Sequence, residues 1–172
     1  VGAAVGAAAG FLIGWYFESK KIADAKQVNA EYEQQVKTKG KGKAEAIPKN
    51  DVVPAKFDSK VKTVAPDQSG QKEIQVTSNT DLVGYGDKVP DVQQKYAIYD
   101  EKNNLVEEKT EKLAAVDGAG RYQTSSKFKL PAEAKGKNYT VKTTLVSNNK
   151  TYKENTYKVV ILDGQTMMVA AL

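Results

Sequence analysis

The hydrophobic and polar positions divide the chain into segments with different periods. Residues 1–37 begin with seventeen residues that carry no charged side chain, after which apolar positions recur every three or four residues. Such spacing is typical of a helix with one apolar face. Residues 38–70 are rich in lysine, glycine and proline and predict a linker. Residues 71–172 change to alternating apolar and polar positions, which are typical of strands, and end in an apolar tail.

Glycine recurs at every fourth position of the first segment, with alanines between the glycines. Residues four apart lie on one face of a helix, so this row predicts a shallow groove. Each glycine costs a helix about 1 kcal/mol relative to alanine, a cost that close contact with another helix can offset. The row resembles the glycine-zipper segments of envelope proteins, which implies packing in a membrane or in a helical bundle core. The predicted packing residues are Gly2, Gly6, Gly10 and Gly14.

The end of the apolar stretch has the features of a membrane interface. Trp15 and Tyr16 would stand in an aromatic belt, with Lys20 and Lys21 beyond it as the rest of an interfacial anchor. Seventeen helical residues span roughly 25 Å, which is the short end of what a bilayer core needs. Positive charges favour the cytoplasmic side, whereas a β domain behind a lysine-rich linker is typical of an exported module. Close helix–helix contact is therefore favoured over a lone membrane span.

The predicted helix continues past the apolar stretch as an amphipathic segment. At about 100° per residue, its apolar positions fall within about 120° of the helix surface. This stripe would pack either on the β domain of the same chain or in a bundle of sister helices. The apolar C-terminal residues would form either a final strand or a segment that docks on a neighbouring subunit. The candidate subunit contacts are Ile22, Val28, Tyr32, Val36, Met167, Met168 and Val169.

The alternation between residues 72 and 162 predicts an antiparallel β-sandwich in which each sheet has one solvated face. Asn148 and Asn149 predict a hairpin turn, because asparagine tolerates a positive φ. The stretch 127–141 resembles the strand E, corner and strand F segment of immunoglobulin-like bacterial modules, with Tyr139 near the position of a tyrosine corner. The predicted fold class is α+β: a long N-terminal helix followed by an antiparallel immunoglobulin-like β-sandwich.

The composition limits the chemistry that the chain can perform. Histidine and cysteine are both absent, which excludes disulfides, thiolate chemistry, most zinc sites and serine–histidine nucleophiles. The formal net charge is +5, but Arg121 is the single arginine, whereas nucleic-acid readers lean on arginine and clustered basic faces. Glu107 and Glu108 are adjacent on a strand and face opposite ways, so they form no catalytic pair. The sequence predicts no enzyme activity, catalytic residue, metal site, cofactor or nucleic-acid partner.

These features favour a structural or interaction protein of the cell envelope, on its periplasmic or extracellular side, or of the cell surface. It would form homo-oligomers through the glycine-zipper helix and display the sandwich. A second hypothesis is a surface-filament subunit, because an apolar N-terminal helix followed by a β domain resembles the layout of pilins and archaeal flagellins. A third is a module that binds cell-wall glycan or peptidoglycan, with sugars stacking on Tyr85, Tyr99, Tyr122 and Tyr152.

Overall fold

The structure, a computed structural model, describes residues 12–39, 46–64, 72–114, 116–130, 137–161 and 167–172. Side chains that alternate between a buried and a solvated face produce nine strands in these ranges, with a helix between the first two strands. The elements are β1 (Ile13–Ala23), α1 (Ala25–Lys39), β2 (Val53–Val64), β3 (Lys72–Val83), β4 (Val92–Tyr99), β5 (Leu105–Lys112), β6 (Gly120–Leu130), β7 (Asn138–Ser147), β8 (Lys150–Ile161) and β9 (Met167–Ala171).

Two antiparallel sheets pack face to face as a β-sandwich. Sheet A has the strand order β1-β6-β3-β2, and sheet B has the order β5-β4-β7-β8-β9. The hairpin between β7 and β8 turns at Asn148 and Asn149, whose φ values are 49° and 65°. The antiparallel sandwich that the alternation predicted is therefore confirmed.

The prediction of a long N-terminal helix is wrong. Residues 13–23 form strand β1, which pairs with β6 at one edge of sheet A, and α1 begins only at Ala25. Trp15 and Phe17 pack against the core while Tyr16 is exposed, so this stretch follows the two-residue period of a strand. The described part of the chain is thus β-dominated with one short helix, and the predicted α+β class is corrected accordingly.

Of the predicted zipper, Gly14 alone lies in the described part of the chain; Gly2, Gly6 and Gly10 lie outside the described residues. Gly14 has a φ of 64°, which favours glycine, and stands at a register shift near the start of β1. The residue assigned to a helix–helix groove is therefore part of a β-bulge. The pilin-like layout required a helix over residues 13–23, whereas these residues form strand β1.

Strand β2 lies inside the segment that was predicted to be a linker. It pairs along its length with β3 at the other edge of sheet A. The prolines indicated an irregular segment, but inward Phe57 and Val61 alternate with exposed lysines, and this alternation decides the structure. Pro54 stands at a register shift, which is where a strand tolerates proline.

A buried polar layer separates two apolar clusters along the strands of the sandwich. Gln94 is fully buried; its Nε2 donates to Ser78 Oγ at 3.0 Å and to Thr143 Oγ1 at 2.8 Å. Its Oε1 accepts from Thr124 Oγ1 at 2.6 Å. One amide therefore joins β3, β4, β6 and β7, and a slip of any of these strands would leave buried polar groups without partners. The layer helps to fix the register on which both outer faces depend.

Candidate functional site: the cleft beside helix α1

Helix α1 lies across the outer face of sheet A, over β3 and β6. Asp24 caps its first turn, because Asp24 Oδ1 accepts from the backbone N–H of Gln27 at 2.8 Å. Val28, which is 1% exposed, packs with Ala23 and Val83 in a small apolar cluster. The helix is therefore seated on the sheet by one fully buried apolar side chain and by the polar contacts around it.

An amide pair fixes the same turn of the helix to the loop after β3. Asn29 Nδ2 donates to the carbonyl oxygen of Gly84, and the Gly84 N–H donates back to Asn29 Oδ1, both at 3.0 Å. Gly84 has a φ of 147°, and a Cβ there would come within 2.0 Å of the Asp51 carbonyl oxygen. Glycine is required at this position, since a side chain would push the loop away from the chain that leads into β2.

Arg121 joins the helix to the sheet through two carboxylates. Its Nε and Nη2 donate to Asp81 Oδ1 and Oδ2 at 2.7 and 3.1 Å, and Nη2 also donates to Glu31 Oε2 at 2.6 Å. Arg121 and Asp81 face each other across β6 and β3, with side chains that are 24% and 12% exposed. The planar guanidinium can serve both acids at once, which an ammonium group could not do with the same geometry. We call these three residues the Arg121 network.

The contacts of the Arg121 network favour the charged forms of Arg121 and Glu31. Hydrogen bonds to Asp81 make the largest contribution that raises the pKa of Arg121. The hydrogen bond from Arg121 lowers the pKa of Glu31, and a second one from Gln27 adds to this effect. A general acid needs a pKa raised toward the working pH, so Glu31 is poorly suited to donate a proton at neutral pH. The arrangement favours positioning and binding over proton transfer.

A cleft of about 440 Å³ opens between α1 and the start of β2, beside the Arg121 network. Ala55 and Val83 form its apolar part. Tyr32 and Gln35 of α1 line it on one side, and Lys56 of β2 lines it on the other. Sites for small polar ligands commonly combine an apolar or aromatic surface with a few converging polar groups. In the described part of the chain, the acids form no cluster of three that could hold a metal ion.

Tyr152, one of the tyrosines considered for sugar stacking, is not one of the residues that line this cleft. It is 39% exposed on β8. Burial makes the largest contribution that raises the pKa of its hydroxyl, and the charges of Tyr32, Asp58 and Asp81 add to it. Tyr152 comes from the opposite sheet.

The other three tyrosines are scattered through the fold. Tyr122 is fully buried, with its hydroxyl 2.9 Å from both Asp117 Oδ1 and the Gly118 carbonyl oxygen. Burial raises its pKa to about 12. Its bond to the backbone four residues upstream has the hydrogen-bond pattern of a tyrosine corner, but it lies on β6 and not at Tyr139 of β7, which the sequence indicated. Sequence reasoning therefore did not anticipate the structural role of Tyr122.

Tyr85 and Tyr99 are held at separate places on the surface. Tyr85 is 55% exposed after β3, and its hydroxyl donates to Glu33 Oε1 of α1 at 2.9 Å. Tyr99 ends β4, and Lys142 Nζ lies 5.1 Å from its ring centroid. The tyrosines predicted to act together are thus not one surface.

The predicted interfacial anchor is distributed over both faces of β1. The Trp15 ring lies 5.1 Å from Tyr96 and 5.9 Å from Phe128, and its Nε1 donates to Glu111 Oε1 at 2.8 Å. Trp15 therefore ties β1 to the sandwich core and to β5 of the facing sheet. Among the described residues, no helix has the length and apolar character that a bilayer span requires.

The remaining anchor residues face solvent or form surface contacts. Tyr16 is 46% exposed, with Lys127 Nζ 5.7 Å from its ring centroid. Lys20 is exposed, and Lys21 pairs with Asp117 at 2.7 Å. These contacts lie within one chain.

The candidate subunit contacts occupy three elements. Val28 and Tyr32 of α1 belong to the cluster on sheet A, as the alternative of packing on the same chain predicted. Val36 of α1 is partly buried, and Ile22 of β1 is 44% exposed. Residues 167–169, which are Met167, Met168 and Val169, lie in β9 and pair with β8. Contact of any of them with a second subunit stays a prediction.

Residues 56–163 match the sequence profile of a family described as a domain of unknown function, DUF7490. The chain belongs to this family. No curated protein sequence matches the chain. The DUF7490 match begins within β2 and ends just after β8, so it includes Lys56, Asp81 and Arg121. Glu31 and Tyr32 precede it. One wall of the cleft is therefore part of the DUF7490 domain, and the other is the helix that comes before it.

Several solved structures contain regions similar to this chain. They include a glycosyl hydrolase family 2 member from Bacteroides cellulosilyticus, with 20% identity, a TM-score of 0.48 and coverage of 64% of this chain and 16% of that one. The β-glucuronidase of Bacteroides uniformis has 12% identity and a TM-score of 0.44, and the match covers 62% of this chain and 14% of that one. The β-glucuronidase of Parabacteroides merdae has 15% identity and a TM-score of 0.41, and the match covers 69% of this chain and 15% of that one. The DUF7490 chain thus corresponds to less than a fifth of the length of each of these proteins.

Proposed function

We propose that this chain is a non-enzymatic interaction domain of a cell-envelope or surface protein and that it binds glycan in the cleft between α1 and β2. The observation that carries the proposal is the convergence of Tyr32, Gln35 and Lys56 on one cleft. A sugar has an apolar face of C–H groups and a rim of hydroxyl groups. A tyrosine ring suits the first, while amide and ammonium groups can hydrogen-bond the second.

The state of the carboxylates supports binding rather than hydrolysis. Glycoside hydrolysis commonly uses two carboxyl groups with different tasks, one of which must carry a proton. In this cleft Glu31 and Asp81 bond to the same guanidinium, and Arg121 lowers the pKa of Glu31. Both acids contact Arg121, which joins the helix to the sheet, whereas Tyr32, Gln35 and Lys56 are the other polar groups that line the cleft.

The connectivity supports the finer assignment of the sandwich to the immunoglobulin-like class. Strands β2, β3 and β6 lie together in one sheet, while β5, β4, β7 and β8 lie together in the other. This division corresponds to strands A, B and E against C′, C, F and G of that class. The envelope location rests on the uncharged start of the sequence and on the lysine-rich segment after α1. Homo-oligomerisation stays a prediction, and the zipper helix is not part of this proposal.

Retention of the purified protein on cell-wall material tests the proposal. The double variant Gln35→Ala/Lys56→Ala removes two cleft groups whose residues are both exposed, so the fold should be unaffected. We expect roughly tenfold weaker retention, which corresponds to about 1.4 kcal/mol. The matched control is Lys26→Ala/Gln34→Ala, which removes the same residue types from α1 outside the cleft lining. Wild-type protein that is not retained, or a cleft variant that binds as well as the control, would overturn the proposal.

A further inference from the structure

The outer face of sheet A is open beyond helix α1, and its cross-strand rows are polar. The register aligns Tyr16, Lys127, Gln75 and Lys62 across the four strands from β1 to β2. Adjacent strands lie about 4.8 Å apart, so the two lysines of this row are roughly 10 Å apart at the backbone. Between them stands an amide group that is partly exposed.

The next row on the same face is also polar, but it carries an acid on β1 and a single lysine on β2. Glu18, Ser125, Thr77 and Lys60 align across the same four strands. Ser125 and Thr77 present partly exposed hydroxyls at the centre of the sheet. The two rows together form a surface with lysines on β2 and β6, a glutamate on β1 and uncharged hydrogen-bonding groups at the centre. We call this surface the open face.

The open face has a surplus of positive charge. Lys60, Lys62 and Lys127 are exposed, and in the described part of the chain none of them forms an ion pair with an acid. The acids around them are occupied. Glu18 accepts from the Tyr16 hydroxyl at 2.7 Å, whereas Asp58 lies 3.3 Å from Lys56 and 3.8 Å from Lys153.

A second acid at the margin of the open face is also engaged. Glu73 accepts a hydrogen bond from Gln75 Nε2 at 2.8 Å. Lys20, one row further along β1, is another exposed lysine without an ion pair in the described ranges. The lysines of the open face are therefore available to an external anion, whereas the acids are held by neighbours.

We infer that the open face binds an acidic polysaccharide, a chain of sugars that carry carboxylate groups. The lysines would hold the carboxylates, and Gln75, Thr77 and Ser125 would bond the sugar hydroxyls between them. Tyr16 at the rim offers an aromatic ring. Phosphate recognition in nucleic acids leans on arginine forks, and single-stranded binding needs several stacking rings. A lipid surface is disfavoured because the two central rows contain no aliphatic side chain to insert.

This surface is distinct from the cleft, and a charge-specific experiment separates the two. The probe is polygalacturonate, with neutral dextran as the uncharged comparison. The variant Lys60→Gln/Lys62→Gln/Lys127→Gln should bind polygalacturonate roughly tenfold more weakly near 0.01 M salt, where the Debye length is about 30 Å. The difference should disappear near 1 M salt, where that length is about 3 Å. Wild-type protein should show no measurable binding to dextran through this face.

The matched control is Lys102→Gln/Lys150→Gln/Lys158→Gln, which makes the same change in net charge at exposed positions of β8 and of the turn between β4 and β5. We expect it to retain affinity to within about twofold, because long-range attraction by net charge alone is weak once screened. Equal losses in the two triple variants would overturn the inference, since binding would then follow total charge. Unchanged circular dichroism and urea unfolding confirm that each variant is folded.

Two further arms identify the ligand class and the site. Anionic vesicles and duplex DNA should bind more weakly than polygalacturonate, and equal binding that is lost in the same triple variant would overturn the polysaccharide assignment. Gln35→Ala, which changes the cleft without changing charge, should leave polygalacturonate affinity intact. If Gln35→Ala abolishes that binding while the lysine variant does not, the open-face inference fails and the cleft proposal stands.

Discussion

Two cations on the outer face of strand β6 differ in their surroundings: Arg121 lies under helix α1, toward one end of the strand, and Lys127 lies on the open part of sheet A, toward the other. The guanidinium of Arg121 contacts two carboxylates and is partly shielded from water. Lys127 is exposed, its Nζ lies 5.7 Å from the centroid of the Tyr16 ring, and it forms no ion pair with an acid among the described residues. A charge removed from water must be paired, whereas a solvated charge need not be. The covered end is therefore committed to structure, and the open end remains available for a ligand.

The strongest test of this difference replaces each cation with a side chain of similar length. Arg121→Met leaves the nearly buried Asp81 without its partner, which should lower the free energy of unfolding by about 2–4 kcal/mol. Lys127→Met removes a solvated charge from the same strand and should change the free energy of unfolding by less than about 0.5 kcal/mol. Urea unfolding followed by tryptophan fluorescence measures both. Equal effects would show that the Arg121 network is not structural.

A second test asks whether α1 itself makes the two ends different. Val28→Ala removes the buried apolar contact between helix and sheet and should cost about 2 kcal/mol. Hydrogen exchange should rise most in α1, because loss of this contact favours local opening of the helix. The matched control is Ile22→Ala, whose side chain is exposed on the neighbouring strand and should matter by less than about 0.5 kcal/mol. If exchange in α1 does not change, polar contacts alone hold the helix.

Local alternation was sufficient to predict the sandwich over residues 72–162 and the turn at Asn148. It was also present in residues 15–22, where Trp15 and Phe17 are inward, but the regular glycine spacing and the lack of charge favoured a helix. Glycines spaced four apart fit a groove on a helix, but Gly14 stands in a β-bulge. Its positive φ, which glycine adopts readily, accounts for glycine at this position, and the spacing does not. In the same way, the prolines of residues 38–70 indicated a linker, although the alternation of strand β2 was present there.

The cleft could not be predicted because its parts come from distant positions. Glu31, Lys56, Asp81 and Arg121 belong to four elements, and only strand register and the seating of α1 bring them together. The single arginine was the one available sequence signal, since a lone guanidinium among many lysines indicates a need for fork geometry. For the open face, alternation indicates which lysines are solvated but not which ones share a row.

Acidification should weaken the Arg121 network at the covered end of β6, whereas the surroundings of Lys127 at the open end should not change. The hydrogen bond from Arg121 lowers the pKa of Glu31, so its contribution to stability is present above the unfolded pKa of about 4.3 and is lost as pH falls through the lower folded value. Stability measured from pH 7 to pH 3 should therefore fall less steeply in Glu31→Gln than in wild type. Asp100 and Asp117 also have lowered pKa values, so the slope is reduced rather than abolished. The stability of Lys127→Gln should fall with decreasing pH as steeply as that of wild type.

The smallest effect concerns repulsion within the open face. Lys60 and Lys62 point to the same side of β2, about 6.6 Å apart along the strand, and no acid pairs with either in the described residues. Lys60→Gln/Lys62→Gln should therefore raise Tm by about 1 °C at low salt and by nothing measurable near 1 M salt. A lower Tm would mean that these lysines already stabilise the fold through a partner. A small gain with a large loss of polygalacturonate affinity is expected of side chains kept for binding rather than for stability.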